Sequence, residues 1–290
     1  MEFHTNLQDA KEVADLFHRS AEATLSADCR RGCADRIAAR GRLLATGDIH
    51  DNPVHLGRIL TLAELEADPD HHVTFHEVIH GDNLIGDMDF SYRMLARIAE
   101  LKLRFPEQVH ALLGNHELSQ IVGAGVLKHG INCVEAFNEA VEFTFQDEAE
   151  RVREAIECFI RSMTLALICD NGVLCAHSLP GPHDLAEFDL DVLDRDLEEA
   201  DFVRHGSAHR LVWGRRLSSE HLEALAERWG VRLFVLGHML AEMGWQILPP
   251  NAIVLNSDHE RGCVLPLDLA VAEPISDLQS RICPLAAVET

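Results

Sequence analysis

Apolar and polar positions alternate regularly between residues 41 and 117. The apolar runs RLLAT (42–46) and QVHALL (108–113) each precede a polar loop, and HHVTFHEVIHGDN (71–83) has the pattern of a strand followed by a loop. Between these runs, residues 54–67 and 89–105 carry apolar side chains at helical spacing. Strands that alternate with helices of this length predict βαβ units and a parallel sheet.

The remaining sequence predicts a different mixture of elements. Residues 8–40 and most of 118–163 have helical patterns, LALICDNGVLCAHS (165–178) predicts a hairpin, and SSEHLEALAERWG (218–230) a capped helix. VRLFVLGHM (231–239) predicts a strand, and three short strands follow it. We therefore expect an N-terminal helical extension (1–40), an α/β domain (41–270) with a helical insertion at about 118–163 and an acidic insertion at about 181–212, and a tail (271–290).

The composition and charge of the chain exclude some classes of binding partner. The 290 residues are 47% hydrophobic, which is enough for a large core, and their formal net charge is −23. Such a charge repels phosphate backbones and anionic lipids, so neither a nucleic-acid polymer nor a membrane is expected as a partner. The N-terminus has no signal-peptide pattern, and no apolar run approaches about 18 residues. We expect a cytoplasmic protein.

The eight cysteines are scattered along the chain. Only Cys29 and Cys33 lie close together, and no second pair follows them, which argues against a zinc knuckle. A reducing compartment agrees with this pattern.

Polar side chains follow the apolar runs, and they include several good metal ligands: Asp48, His50, Asp82, Asn115, His116, His177 and His238. In open α/β sheets, ligands bind beyond the carboxyl ends of the strands, so these side chains are expected to converge. Mixed oxygen and imidazole donors suit Mn²⁺, Fe²⁺ and Zn²⁺. The stretch ATGDIHDN (45–52) alone is equally compatible with an ordinary turn.

The motifs GDIH, GDN, GNHE, AHS and GHM, in this order, resemble the calcineurin-like metallophosphoesterase superfamily. The single His of GHM and the segment LVWGRR are most similar to its phosphoprotein (serine/threonine) phosphatase branch, which includes bacterial and phage members. The resemblance covers residues 43 to about 268. It implies a four-layer α/β/β/α sandwich, in which helices flank two mixed sheets, and a dinuclear metal-dependent phosphoester hydrolase.

The resemblance also implies a role for each motif residue. Asp48 and His50 would hold a first metal ion, Asp82 would bridge both ions, and Asn115, His177 and His238 would complete the second. A metal-bridging hydroxide would attack phosphorus in line, and His116 would protonate the leaving group. Arg215 would bind substrate phosphate together with Asn115 and His116. The ions would be Mn²⁺, Fe²⁺ or Fe³⁺, or Zn²⁺, and the substrate a phosphoprotein or a small phosphoester such as a nucleotide.

Two departures from the family pattern bear on the substrate. The second motif of the phosphatase branch usually reads Gly-Asp-x-x-Asp-Arg-Gly, but Ile85 and Gly86 follow Asp82 at the Asp and Arg positions. Asp87 or Asp89 could replace that Asp, and Arg93 or Arg216 that Arg. Asp51 stands where the first motif usually has Gly. An alternative reading is therefore a catalytically weak or silent relative that binds a phosphorylated ligand or protein partner.

Overall fold

Two mixed β-sheets face each other, and helices cover their outer faces. The computed structural model describes residues 2–289. The strands are β1 (Arg30–Arg31), β2 (Ala34–Ile37), β3 (Arg42–Thr46), β4 (His71–Phe75), β5 (Val109–Ala111), β6 (Leu127–Lys128), β7 (Ile131–Asn132), β8 (Ala166–Cys169), β9 (Val173–Ala176), β10 (Leu233–Leu236), β11 (Trp245–Leu248), β12 (Ala252–Leu255), β13 (Cys263–Asp268) and β14 (Cys283–Pro284). The helices are α1 (Ala10–Leu25), α2 (Pro53–Ala63), α3 (Tyr92–Arg104), α4 (Asn115–Val122), α5 (Cys133–Phe145), α6 (Ala149–Ser162), α7 (Glu199–Phe202), α8 (Ser207–Val212), α9 (Ser219–Trp229) and α10 (Ile275–Leu278).

The larger sheet has the strand order β1-β2-β8-β9-β10-β12-β11, and the smaller has β14-β13-β3-β4-β5. Strands β3, β4 and β5 are parallel, as are β9, β10 and β12. Strands β6 and β7 form a separate hairpin. The predicted parallel βαβ units and the two mixed sheets flanked by helices are thus confirmed.

Alternating side chains of each strand enter two different cores. On β3, Leu43 and Ala45 pack between the sheets, whereas Leu44 packs under the helices. On β10, Val235 belongs to the core between the sheets and Phe234 to the helix-covered core. Because successive strand residues point to opposite faces, a strand with apolar residues on both faces is buried on both. This alternation produces the four layers.

The N-terminal segment differs from its predicted helix. Helix α1 ends at Leu25, and residues 30–37 form β1 and β2 instead of continuing the helix. Gly32 has φ +57°, a left-handed conformation that a helix interior does not accept. Strand β2 pairs with β8, so this part of the segment belongs to the larger sheet. Among residues 2–289, no helix combines the length and apolar character needed to cross a bilayer.

The loops that follow β3, β4, β5, β9 and β10 meet at one edge of the sandwich. Asp48, two residues beyond β3, forms isolated bridges with His76 after β4 and with Asn256 after β12. The backbone of Gly237, after β10, donates to the carbonyl of His177, after β9. The bridge between Asp48 and Asn256 joins the two sheets at the edge where the candidate site lies, and the other two contacts tie neighbouring loops within each sheet.

Candidate metal centre

Asp48 lies at the junction of the two sheets. Its Oδ1 is 3.4 Å from Nδ1 of His76 and 3.4 Å from Nδ1 of His177. Both carboxylate oxygens lie 3.0 Å from the backbone nitrogen of His238, which donates to them. Burial raises the pKa of Asp48, but the contacts with His177 and His76 outweigh it and hold this pKa well below its usual range. Asp48 therefore remains a carboxylate at neutral pH.

Glu77 lies between two sets of imidazoles and is almost fully buried. Its Oε1 is 3.7 Å from Nε2 of His50 and 3.6 Å from Nε2 of His116, and its Oε2 is 3.3 Å from Nε2 of His177. Burial and then the charges of Asp48 and Glu117 raise the pKa of Glu77. Buried carboxylates this close to each other require compensation by positive charge or protons.

Gly114 makes the position of Glu77 possible. A Cβ atom on Gly114 would lie 2.6 Å from Oε2 of Glu77 and 2.4 Å from Oε2 of Glu117. Glu117 itself accepts the backbone N–H groups of Val78 (2.7 Å) and Ile79 (3.2 Å), which fixes the loop after β4. The Gly of the GNHE motif thus provides space for two buried carboxylates.

Backbone carbonyls assign the protons of two of the imidazoles. Nδ1 of His50 donates to the carbonyl of Ile79 (3.1 Å), and Nε2 of His76 donates to the carbonyl of Thr46 (2.8 Å). The other ring nitrogen of each histidine therefore presents a lone pair to the site. A carbonyl partner on the remote nitrogen is the usual arrangement for a metal-bound histidine.

A second set of acceptor atoms surrounds His177. Its Nδ1 lies 3.0 Å from Nδ1 of His76. Because the proton of His76 is on Nε2, this contact places the proton of His177 on Nδ1 and leaves a lone pair on its Nε2. That Nε2 lies 2.8 Å from Oδ1 of Asn115 and 3.2 Å from Nδ1 of His238. Burial, above all, lowers the pKa of His177 to about 4 and that of His238 to about 2, so both rings are neutral.

These donor atoms fit metal ions. Three of the groups whose donor atoms all lie within 4.8 Å of one another share this site: Asp48, His76 and His177; His50, Glu77 and His116; Glu77, His177 and His238. Nε2 of His238 is buried without a hydrogen-bond partner among the described residues. Converging lone pairs and an unsatisfied imidazole nitrogen would be costly unless a cation joined them.

His116 is connected to a further histidine. Its Nδ1 lies 2.9 Å from Nδ1 of His80, and Nε2 of His80 lies 3.1 Å from Oε1 of Gln120. Burial, followed by the charges of His50 and His80, lowers the pKa of His116, so the ring is neutral without a ligand. The side chain that orients His116 is therefore His80 and not Asp87 or Asp89.

Several site residues have strained backbones. The left-handed φ angles are +42° at His50, +49° at Glu77, +59° at His80 and +63° at His238. Non-glycine residues rarely adopt this region, and such strain concentrates at functional sites. The turn at His50 separates the two side chains of the first motif: Asp48 lies beside His177, whereas His50 faces Glu77.

Asp82 is not part of this cluster, contrary to the sequence-based prediction that it bridges two ions. Its side chain is 66% exposed and pairs with Lys128, with Oδ1 2.9 Å from Nζ. Strand β4 ends at Phe75, so the residues directly at the edge of the sheet are His76 and Glu77. Asp82 lies five residues after Glu77, on the exposed side of the loop.

With this register, the second motif reads His76-Glu77-Val78-Ile79-His80-Gly81-Asp82. Glu77 then stands at the position of the first Asp of the family motif, His80 at that of the second Asp, and Gly81 at that of the Arg. A Cβ on Gly81 would lie 2.7 Å from Cβ of Asp51, so the carboxylate of the first motif fills space beside the missing side chain. From the sequence, His76 and His80 are interpreted as surface or packing residues beside the second strand, and Glu77 has no assigned role, because none of the three is of the residue type expected in the motif.

Arg215 lies at the other end of the site. Its Nη1 donates to the carbonyl of His238 at 3.1 Å, and the side chain is exposed. The ring of Trp213 packs edge-on against His238, with 5.9 Å between centroids. Arg215 is thus placed beside the site, as expected of a phosphate ligand, and its role in binding stays a prediction.

Comparisons with known proteins agree with this fold and identify the family. The sequence profile described as calcineurin-like phosphoesterase matches residues 41–242. A Saccharomyces cerevisiae protein serine/threonine phosphatase, similar to human phosphatase PP5, superposes with a TM-score of 0.67 at 15% identity, covering 96% of this chain and 93% of its own. A cold-active protein-tyrosine phosphatase of a psychrophilic Shewanella species gives a TM-score of 0.54 at 16% identity, covering 84% and 80%. No curated protein matches the sequence.

Fold and site together define a hydrolase with phosphatase architecture and a cluster of metal-binding side chains. The chain belongs to the calcineurin-like phosphoesterase family, whose profile covers most of its length. It is accordingly a hydrolase of phosphoric esters.

Proposed function

We propose that the protein hydrolyses phosphoesters with two divalent metal ions and that Glu77 is the carboxylate shared between them. The first ion would be held by Asp48, His50 and Glu77, and the second by Glu77, Asn115, His177 and His238. His76 would orient His177 through the contact between their Nδ1 atoms. The observation that carries this proposal is that the two oxygens of Glu77 face different sets of imidazoles.

The ions, when bound, would polarise the phosphoryl group and neutralise the negative charge that develops during transfer. The protein's own contribution begins with orientation: Asn115 and His116 sit in the first turn of α4, where backbone N–H groups favour an anion. A bound phosphoryl group would also favour the protonated form of His116. The ring could then donate a proton from Nε2 to the leaving oxygen while His80 accepts from Nδ1.

The net charge of the protein limits the class of substrate that it can bind. A surface with a net charge of −23 repels polyanions, so binding must come from the local cations of the site. Arg215 supplies a planar guanidinium suited to a phosphate. We propose small phosphomonoesters or single phosphorylated side chains as substrates, and Mn²⁺, Fe²⁺ or Zn²⁺ as the ions.

Replacing Glu77 and Asp82 in parallel tests the assignment. The purified protein with Mn²⁺ is expected to hydrolyse p-nitrophenyl phosphate. Glu77→Gln should lower both metal content and kcat/KM by at least about 100-fold, which is the upper range for loss of a mere outer-shell partner. Asp82→Asn removes an equal charge five residues away and serves as the matched control for metal content and kcat. Full activity and metal content in Glu77→Gln would contradict the proposal.

A silent, ligand-binding relative is the second candidate, because Gly81 removes the phosphate-binding Arg of the motif. It predicts stoichiometric metal without turnover of any monoester, diester or nucleotide. Binding of inorganic phosphate in the absence of hydrolysis would favour this candidate over the enzyme.

A further inference from the structure

The hairpin formed by β6 and β7 brings a lysine to the candidate site. Nζ of Lys128 donates to the carbonyl of His80 at 3.3 Å and pairs with Asp82 at 2.9 Å. The side chain is only 27% exposed, although Asp82 is largely in solvent. Lys128 is thus held against the loop after β4, next to Gly81, where the family motif has its Arg.

Lys128 and Arg215 approach the site from opposite ends. Arg215 donates to the backbone of His238, whereas Lys128 lies on the side of His80 and His116. Lys128 contacts the backbone of His80, and the ring of His80 in turn contacts the ring of His116, with 2.9 Å between their Nδ1 atoms. The ammonium group is therefore close enough to act on an anion that binds beside His116.

A cavity of about 150 Å³ opens beside Lys128. Asp82, Asp89 and His129 lie on its polar side, and its other walls are Gly81, Leu84, Ile131, Cys133 and Ala136. Sγ of Cys133 lies within 4.8 Å of ring nitrogens of both His80 and His116, so the cavity adjoins the proposed proton donor. Apolar cavities of about this volume accommodate a benzene ring.

We propose that Lys128 and this cavity form a substrate subsite, selective for phosphomonoesters whose leaving group carries an aromatic ring. The inference rests on the proposed function, because a leaving group must lie beside the residue that protonates it. In the reaction, the oxygen of a water molecule bonds to phosphorus and the bond from phosphorus to the leaving oxygen breaks. The leaving oxygen takes the electron pair of that bond and the proton of His116, and the water proton released restores His116.

Three features of the subsite point to this class of substrate. Lys128 supplies a point charge for a phosphoryl oxygen at the position where the motif lacks its Arg. Leu84, Ile131 and Ala136 offer apolar contact to a ring, and the cavity is too small for a nucleotide. Asp82 and Asp89 disfavour leaving groups that carry further negative charge.

Two alkyl phosphates separate ring recognition from leaving-group reactivity. Benzyl phosphate and ethyl phosphate release alcohols of similar basicity, but only the first carries a ring. Burial of an aromatic ring against apolar walls is favourable, so kcat/KM for benzyl phosphate should exceed that for ethyl phosphate by about tenfold or more. Ala136→Leu fills the cavity and should bring the ratio close to one. Because the ratio is taken within one variant, partial loss of folded enzyme does not affect it.

Variants of Lys128 test the phosphate contact. Lys128→Gln should raise KM for both esters, and Ki for inorganic phosphate, by about tenfold, because a charge-assisted hydrogen bond is lost. Lys128→Arg should restore most of the affinity, and Lys11→Gln, the same charge change on exposed α1, is the control. Melting temperatures of the Lys128 variants equal to that of the wild-type protein would exclude unfolding of the hairpin as the cause of a higher KM or Ki.

The outcomes distinguish the two proposals. If the wild-type protein with metal cleaves neither ester, the proposed function itself fails. If it cleaves both equally well and Lys128→Gln has an unchanged Ki for phosphate, the subsite is overturned while the hydrolase proposal stands. A retained preference for benzyl phosphate in Ala136→Leu places the ring elsewhere and also overturns the subsite.

Discussion

Nδ1 of His80 lies 2.9 Å from Nδ1 of His116, so one histidine orients another at the centre of the site. Gln120 donates from Nε2 to Asn138 (2.9 Å), which leaves its Oε1 free to accept Nε2–H of His80. His80 then presents a lone pair to His116. This chain assigns the proton of His116 to Nδ1 and directs its Nε2 towards Glu77.

His80 is therefore expected to be a positioning residue. His80→Ala should lower kcat by about 10- to 100-fold, a fraction of what general acid catalysis contributes, with a smaller change in KM. His80→Asp should recover much of the rate and move the alkaline limb of the pH–kcat profile upwards, since a carboxylate favours the protonated form of His116. An unshifted limb in His80→Asp would exclude this role.

Asp82→Asn tests which residue of the second motif, Glu77 or Asp82, is the shared metal ligand. The variant should keep its metal content and its kcat, because Asp82 is exposed and contacts Lys128. KM for a phosphomonoester should stay unchanged or fall, because the ammonium group of Lys128 is no longer paired with a carboxylate at position 82. Metal analysis and steady-state kinetics check this, and loss of metal comparable to that in Glu77→Gln would restore Asp82 as the shared ligand.

Gly114→Ala should disrupt the packing of the carboxylates in the candidate site. The added methyl group would overlap the carboxylates of Glu77 and Glu117, and overpacking of this kind costs about 1–3 kcal/mol of unfolding free energy. Metal content should fall with it. Gly57→Ala is the control: no described atom lies within 4 Å of its Cβ, and inside helix α2 it should stabilise the protein by about 0.5–1 kcal/mol. Equal effects of the two substitutions in thermal melts would refute the packing argument.

Asp51→Asn should stabilise the protein above neutral pH. Burial, and then the charge of Asp89, raise the pKa of Asp51 to about 7. The folded state therefore binds this proton more tightly than the unfolded state. Ionisation of Asp51 consequently lowers the free energy of unfolding, and this destabilisation is absent below about pH 4 and complete above about pH 7. Asn tolerates the φ of +53° and removes the charge.

The expected gain for Asp51→Asn is roughly 1–3 kcal/mol at pH 8, less than the full shift implies because the side chain is partly exposed. Denaturant unfolding of both proteins at pH 4 and pH 8 measures it. A gain that is independent of pH would show that the charge of Asp51 is not the cause.

Much of the architecture could be predicted from residue patterns. Strand β3 coincides with RLLAT, and helix α9 has the predicted Ser218 cap and left-handed Gly230. The hairpin of β8 and β9 and the strand before Gly237 were also predicted correctly. These elements follow from local signals, namely alternation, capping and turn residues, that need no distant partner.

The site residues of the second motif could be located only with the tertiary structure. His76, Glu77 and His80 belong to the site only because β4 ends at Phe75, and element ends are what a sequence predicts least well. A Gly-Asp pair five residues later carried the stronger local signal. A carboxylate and a histidine directly after the apolar run HHVTF were the weaker signal that could have located the site.

The sequence by itself determined the class of fold and the residue types that would meet at one sheet edge, because strand periodicity and connection lengths are encoded locally. Only the tertiary structure decided that Glu77, and not Asp82, faces three histidines, and that a distant hairpin brings Lys128 beside them. Contacts between residues far apart in the chain depend on where each strand stops and how the loops turn, and the strained backbone at His50, Glu77, His80 and His238 has no local sequence signature.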